Sequence, residues 1–401
     1  LLANPTFLRL WLAGGVANAM RWLEVLVAGL FVFERTESAL LVAVVATMRA
    51  LPMLLAGALA GAVAEALDRK RLLLAGFALN AAAAAVVTSL ALTGRLDPWH
   101  LALASLATGV VWAGEMAVRR RMAAEAAGDG DGDLARAVAL DSMTGSITRM
   151  IGPLLGGLAF ESLGVGGAFL ATAIGHMTAL LVALPVEHAQ AHRRLALATL
   201  APAIAEAARL AWATPVVRTV LLVTVVMNVC GFSYTAIVPA WGERVFQASP
   251  AAIGLLAAAE PMGALAGALL IAAFGGRVAP SRLFVGGSVA FLGLMLVAGN
   301  AGGLAFAVVA LAIAGAGTAA FAAMQTALVI AHAPPAARSR TLGLVTTCIG
   351  MGPVGVLSIG ALSDGIGPAA AITAMTGIGL ALVLSVALAR RWSRASMKDT
   401  S

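Results

Sequence analysis

Apolar runs of 18 or more residues, each ended by charge or by a Pro/Gly turn, recur along the 401-residue chain. A helix rising 1.5 Å per residue needs about 20 such residues to cross the ~30 Å hydrocarbon core of a bilayer. Twelve spans can be drawn, at about 8–33, 39–64, 72–93, 99–118, 135–160, 165–186, 216–241, 251–274, 282–300, 303–331, 341–362 and 367–389. The runs are far too long for membrane strands and are rich in Ala and Leu, and a helix satisfies its own backbone in lipid. The pattern predicts an all-α polytopic membrane protein of twelve transmembrane helices. Gly57 to Leu74 shows the repeating unit: a small, apolar run, then a charged knot of Glu65, Asp68, Arg69, Lys70 and Arg71, then a second apolar run. That is a helical hairpin turning at a headgroup surface.

The longest polar interruption, Glu187 to Thr214, divides the chain near residue 200, and the two sides repeat one another. Asn4-Pro5, Arg9 and Asn18 match Thr214-Pro215, Arg218 and Asn228. Pro52-Met53 followed by GALAGA (Gly57 to Ala62) matches Pro261-Met262 followed by GALAGA (Gly263 to Ala268), and Gly152-Pro153 matches Gly352-Pro353. Matches in the same order at similar offsets predict two pseudo-symmetric six-helix bundles: 1–186, a cytoplasmic linker at 187–214, 215–389, and a cytoplasmic tail at 390–401. Halves of this kind rock about a site near the membrane midplane. The small-xxx-small pairs Gly57/Gly61, Gly152/Gly156 and Gly263/Gly267 are expected to let helix backbones approach closely.

Composition excludes a soluble fold: 61% of residues are hydrophobic and only 11% charged, where a soluble domain carries about 25% charged. The net charge of +7 could suggest nucleic acid, but its placement reads as topology. With the N-terminus cytoplasmic, twenty Lys and Arg fall in inner segments and three, Arg35, Arg95 and Arg244, in outer loops. This positive-inside asymmetry predicts a multi-pass protein with both termini cytoplasmic, and leaves lipid headgroups rather than nucleic acid as the partner of the basic residues. The first span continues past Leu30 with charge at its middle, so it is read as a retained helix rather than a cleaved signal. Cys230 and Cys348 lie inside apolar runs and read as inert thiols, with neither a disulfide framework nor a metal cluster indicated. No phosphate loop and no Ser/His/Asp arrangement is present, so neither an enzyme nor a cofactor is expected.

The stretch from Gly61 to Arg71 (GAVAEALDRKR) resembles the signature loop between helices 2 and 3 of the major facilitator superfamily. The family's acidic residue falls on Glu65 in place of the usual Asp, its basic pair on Arg69 and Lys70, and the preceding glycine is Asp68. NPTFLRLWLAGGVAN (Asn4 to Asn18) and ARAVALDSMTGSITRMIGPLLGG (Ala135 to Gly157) look most like the drug-efflux and siderophore-exporter branch typified by the enterobactin exporter and macrolide efflux proteins. The GPxxGG core at Gly152 to Gly157 is similar to the fifth-helix motif of drug/proton antiporters, with Ala139 and Thr148 at the positions of its upstream glycines. The Arg usual in helix 4 of many proton antiporters is not at the expected place. The resemblance implies secondary transport by alternating access, with a loop at Glu65, Asp68, Arg69 and Lys70 that gates the cytoplasmic side.

Ionisable side chains inside spans are costly and face the bundle interior. Six stand out: Arg21 and Glu24, Arg49, Glu115, Arg149 and Glu260. Arg21 and Glu24, three residues apart, share a helical face; either Arg21 meets cargo while Glu24 carries a proton, or the two form a permanent pair. Glu260 is read as a gate with Arg149, a static pair or a second proton site. Arg49 could join that network, without an identifiable partner. Glu115 is read as an interfacial pair with Arg119, four residues on, and Asp141 as similar or as a partner of the signature loop. Asn18, Asn228 and Gln325 are candidates for cargo hydrogen bonding or for interhelical bonding. Trp22, Trp112, Phe232 and Tyr234 are candidates for apolar or cation-π contact, or for core packing. His176 is isolated in the sixth span and is not expected to hold a metal.

Together these readings predict a monomeric, proton-coupled exporter of an amphipathic small molecule such as a drug or a siderophore, with lipid, protons and cargo as its partners. The rivals are an importer of a small organic anion or siderophore, motivated by Arg21, and a non-transporting sensor or assembly factor.

Overall fold

The computed structural model describes the chain apart from residues 1, 3, 67, 128–130, 188–207, 335–337 and 399–401. Most of the 187–214 linker and the end of the tail therefore lie outside the described residues. The rest is helical. In the first half the helices are α1 (Pro5–Thr36), α2 (Ala39–Ala66), α3 (Arg69–Leu92), α4 (Pro98–Ala127) and α5 (Asp131–Ala183). In the second half they are α6 (Pro215–Val226), α7 (Val238–Phe246), α8 (Pro250–Phe274), α9 (Pro280–Gly299), α10 (Leu304–His332), α11 (Arg338–Ile349), α12 (Gly352–Ile366) and α13 (Pro368–Lys398).

Local chemistry sets the ends. Asn4 caps α1, its side-chain oxygen accepting from the N–H groups of Thr6 and Phe7, with Pro5 at the first helical position. Asp68 caps α3 by accepting from the N–H of Arg71. Gly164, at φ 66°, breaks α5 into two limbs that correspond to the fifth and sixth spans. The seventh span is not one continuous α-helix: between α6 and α7 the chain takes a π-helical turn at Met227–Gly231 and a 3-10 stretch at Phe232–Ile237. The eleventh is divided into α11 and α12 at Gly350 and Met351. Among the described residues nine helical stretches are long and apolar enough to cross a membrane, one of them holding both limbs of α5, and Ala39–Leu54 is a shorter apolar helix. Pro98–Ala127 supplies the remaining span of an all-α, twelve-span chain.

The chain forms two compact units, Leu1–Leu195 with Val238–Ala258, and Ala196–Ile237 with Ala259–Ser401. In the first, α1 packs along α5 and α2 along α4. Its apolar core includes Leu10, Ala17, Leu73, Phe77, Val118 and Met122. Glycines set the spacing: a side chain at Gly109 would run into the carbonyl of Arg49 on α2, and one at Gly152 would meet Trp22 on α1. The segment Val238–Ala258 is held by equally close packing, with Gly254 against Gly157, Gly29 against Pro239, and the Arg244 guanidinium bonded to the carbonyl of Glu37 and lying over Phe33.

The second unit is built on α9, which packs against α10 and α13. Phe232, Phe284, Phe291 and Phe321 form its aromatic cluster, with successive ring centroids 5.2 to 5.8 Å apart. Gly263 and Gly267, the second-half copy of the GALAGA word, lie directly on α10 at Ala312 and Ala316. The packing at Gly57, Gly61 and Glu65 lies outside what is described.

Adding a methyl group separates the packing glycines from the open ones. Gly109→Ala forces α2 and α4 apart and should destabilise the protein by about 1–3 kcal/mol. Gly114→Ala on the same helix meets nothing within 4 Å and should be neutral or better. Fluorescence-monitored thermal unfolding in detergent compares the two.

Candidate functional site

The first unit places five ionisable side chains from four helices in one buried network. Arg21 and Glu24 come from α1, Arg49 from α2, Glu115 from α4 and His176 from the second limb of α5. All are buried, from 1% exposed at His176 to 9% at Arg49. The Arg21 guanidinium donates to Glu115 Oε2 at 2.5 Å and to Asn18 Oδ1 at 2.9 Å, and it lies over the Trp112 ring. The amide of Asn18 donates to the Thr148 hydroxyl on α5, and that hydroxyl donates to the carbonyl of Thr144. Glu24 bonds to other partners. Its Oε2 accepts from Arg49 Nη2 at 3.2 Å, and its Oε1 lies 3.0 Å from His176 Nε2. A small cavity beside this group is lined by Glu24, Ala28, Arg49, Ser105, Thr108 and Phe169.

One sequence expectation is corrected here, one alternative is excluded and one missing partner is supplied. Arg21 and Glu24 share a helical face, yet they do not pair with each other. Such a pair would leave Arg49 and Glu115 uncompensated, and a lone buried charge costs several kcal/mol. Pairing outward across the helices satisfies all four. Glu115 does not form an interfacial pair with Arg119: it is buried and bound to Arg21. Arg119 turns instead to Asp141, 2.5 Å away on α5, and crosses α1 at Gly14, where a side chain would displace its guanidinium end. Arg49, for which the sequence names no partner, has Glu24.

The other candidates are placed as follows. Arg69 is buried and donates to both oxygens of Glu125, Asp68 caps α3, and Lys70 follows in its first turn, while the side chain of Glu65 lies outside the described residues. Arg149 lies over the Trp22 ring at 5.5 Å. Glu260 is buried on α8. Gln325 donates to the Thr224 hydroxyl at 2.6 Å and Asn228 to the Thr224 carbonyl at 2.9 Å. These amides bond within their own unit, as Asn18 does. Phe232 belongs to the aromatic cluster and Tyr234 is buried. The residue that sequence reasoning passed over is His176. A signal was available, since an imidazole within a span is as exceptional as a carboxylate.

One further carboxylate bonds across the first unit. Glu161, at the turn between the two limbs of α5 and outside the spans, accepts from the N–H of Ala251 in the first turn of α8 at 2.8 Å. That bond, helped by the Ser249 side chain, holds its carboxyl below the usual range. A lowered value means that the bond is at full strength above the ordinary carboxylate range and is lost as pH falls through the lowered value.

Comparison with known proteins agrees with this architecture. The model of the transmembrane secretion effector family matches residues 1–400. The multidrug efflux pump Tap of Mycolicibacterium fortuitum is 31% identical over 201 residues; the match spans 49% of this chain and 49% of that protein, so about half of the relative's length is covered. Among solved structures, the nucleoside transporter NupG superposes with a TM-score of 0.75 at 14% identity, covering 96% of this chain and 98% of that one. A POT family transporter in complex with 5-aminolevulinic acid gives 0.74 at 9% identity, with 95% of each chain covered. At these identities the likeness is one of fold.

Removing one partner of a buried pair leaves the other charge stranded. Glu115→Gln should therefore destabilise the protein by about 3–5 kcal/mol, and the double change Arg21→Met with Glu115→Met should recover most of that loss, as read from thermal unfolding. Glu161→Gln should speed amide exchange in a peptide covering Ser249 to Ala252. The wild type should show the same acceleration only at acid pH, as read by hydrogen-exchange mass spectrometry.

Proposed function

The chain belongs to the transmembrane secretion effector family of major facilitator transporters, and we propose that it exports an amphipathic small molecule in exchange for protons. In this reading it is a multi-pass protein of a bacterial inner membrane with cytoplasmic termini, and its two bundles alternate access to the cargo. The carrying observation is Glu24: a buried carboxylate on α1 whose two oxygens face different partners, Arg49 and His176. A group in that position can exchange a proton by trading a cationic partner for it. One charge crossing 100 mV is worth about 2.3 kcal/mol, a drive that needs no nucleotide. Export is supported by the half-length likeness to a protein named as a multidrug efflux pump. Trp22, Phe232 and Tyr234 are proposed to contribute apolar surface to the cargo path, and Glu260 to be a second proton-exchanging group.

Importing an organic anion through Arg21 is disfavoured. That guanidinium is already committed to Glu115, Asn18 and the Trp112 ring, and binding an anion would have to break a buried pair.

Inside-out vesicles with an acid interior, supplied with ethidium or a tetracycline, test the proposal. Loading driven by the gradient is expected. Glu24→Gln should reduce it at least tenfold and Glu260→Gln to a lesser degree. Gradient-independent equilibration by the wild type would overturn proton exchange, and outward-only flux from vesicles of this orientation would overturn export.

A further inference from the structure

The geometry points to His176 and Glu24 as a single proton-carrying pair, in which the imidazole receives the proton and Arg49 is the cation displaced when the carboxylate is neutralised. The inference rests on the proton-exchange reading and extends it to a residue that neither the family resemblance nor the relatives assign.

The two ring nitrogens of His176 are in different situations. Nε2 faces Glu24 Oε1 at 3.0 Å, whereas Nδ1 is buried with no hydrogen-bond partner among the described residues. A neutral imidazole carries one N–H and one lone pair. With its hydrogen on Nε2, it donates to the ionised Glu24 and leaves a bare lone pair at Nδ1. A cationic imidazole would instead set a second buried positive charge on a carboxylate that already holds Arg49. The arrangement fits neutral His176 and ionised Glu24, so that Arg21, Arg49, Glu24 and Glu115 sum to zero charge.

In this resting state Nδ1 is a base with no bond to break. A proton arriving there is passed on without a charged imidazole persisting: Nδ1 gains a hydrogen, the Nε2 hydrogen moves to Glu24 Oε1, and the ring is neutral again as the other tautomer. The products are a neutral carboxylic acid and an imidazole accepting its hydrogen bond. Every proton is accounted for, and the single added charge now resides on Arg49, whose carboxylate partner is gone. Arg49 lines the adjoining cavity together with the hydroxyl-bearing Ser105 and Thr108.

Arg49 is the charge bonded to this pair, and the other charged groups around it hold partners of their own. From α1 and α4 the nearby charges are Arg21 and Glu115, which neutralise each other, and Arg119 further along α4 is bound to Asp141. Arg149 on the first limb of α5 lies over Trp22. Toward the cavity α3 offers Ala83, Ala84 and Val87, and α5 offers Phe169. A histidine serving only as a packing bond would do the same work as glutamine, which also donates to a carboxylate; a relay would not survive that change.

The test uses full-length protein in two preparations. In proteoliposomes loaded with ethidium, one-for-one exchange allows the wild type to build an accumulation of about tenfold per pH unit. His176→Gln should keep downhill flux but accumulate only to onefold. In nanodiscs, nitrogen-15 histidine spectra of the wild type, assigned against His176→Gln, should show the His176 hydrogen moving from Nε2 to Nδ1 as pH falls, and Glu24→Gln should abolish that exchange. Wild-type accumulation retained in His176→Gln, or an unchanging His176 tautomer from about pH 5 to about 9, would overturn the inference while leaving proton exchange intact. A wild type that never accumulates dye against a gradient would overturn proton exchange itself. If His176→Gln does not reconstitute, the His176 signals are assigned by replacing the other four histidines with glutamine, and the spectra of that protein with and without Glu24→Gln decide.

Discussion

The carboxylate of Glu24, shared between Arg49 and His176, ties α1 to α2 and to the second limb of α5, while Arg21 on the same helix ties it to α4 through Glu115. Each bond lies where water cannot compensate its loss, so α1 can neither rotate nor slide without stranding a charge. A complete buried pair adds little net stability, yet half of one is strongly destabilising. The network is thus a constraint on register more than a source of stability. The glycines belong to the same constraint. α4 presents Gly109 to the Arg49 backbone, which lets α2 lie close to it, and the Arg119 side chain passes α1 at Gly14.

The second unit uses different means for the same scaffold. Its centre holds a phenylalanine cluster, glycine contacts between α8 and α10, and neutral hydrogen bonds that converge on Thr224. Dispersion and amide bonds tolerate small shifts better than a stranded charge does. Repeat-equivalent residues diverge accordingly. Asn18 reaches across to Thr148 and orients Arg21, whereas Asn228 bonds back to its own helix. The repeated words do not all carry repeated packing: Gly152 lies against Trp22, whereas a side chain at Gly352 would meet nothing within 4 Å.

What was legible in the sequence follows from which forces act locally. Span lengths could be read because bilayer thickness imposes a length on every apolar run, and the two-bundle architecture because short words recur in the same order on both sides of the polar interruption. The presence of interior charges could be read because each is exceptional in a span. Their partners could not. Helical spacing brings Arg21 and Glu24 onto one face, but whether they meet depends on what the neighbouring helices offer, and α2 and α4 offer a stranded Arg49 and Glu115. The same applies to His176, isolated in its own span and completed only by a residue 152 positions earlier. The departures from α-helix between Met227 and Ile237 carry no Pro, so the sequence gives no marker there.

A ligand shifts a conformational equilibrium only by its differential affinity for the two states. In the proposed cycle that difference is concentrated in one bond. While Glu24 is ionised, separating it from Arg49 leaves two uncompensated charges in a low-dielectric interior, which costs several kcal/mol. Once Glu24 is protonated the bond has no ionic component, Arg49 gains more from water than from its former partner, and α2 is released from α1. That change in bond strength is comparable to the ~2.3 kcal/mol that 100 mV supplies for one charge. The buried pair that fixes the register of α1 at rest is therefore of the right size to be unlocked by a single proton, and a pair at the protein surface, worth about 0–1 kcal/mol, would not be.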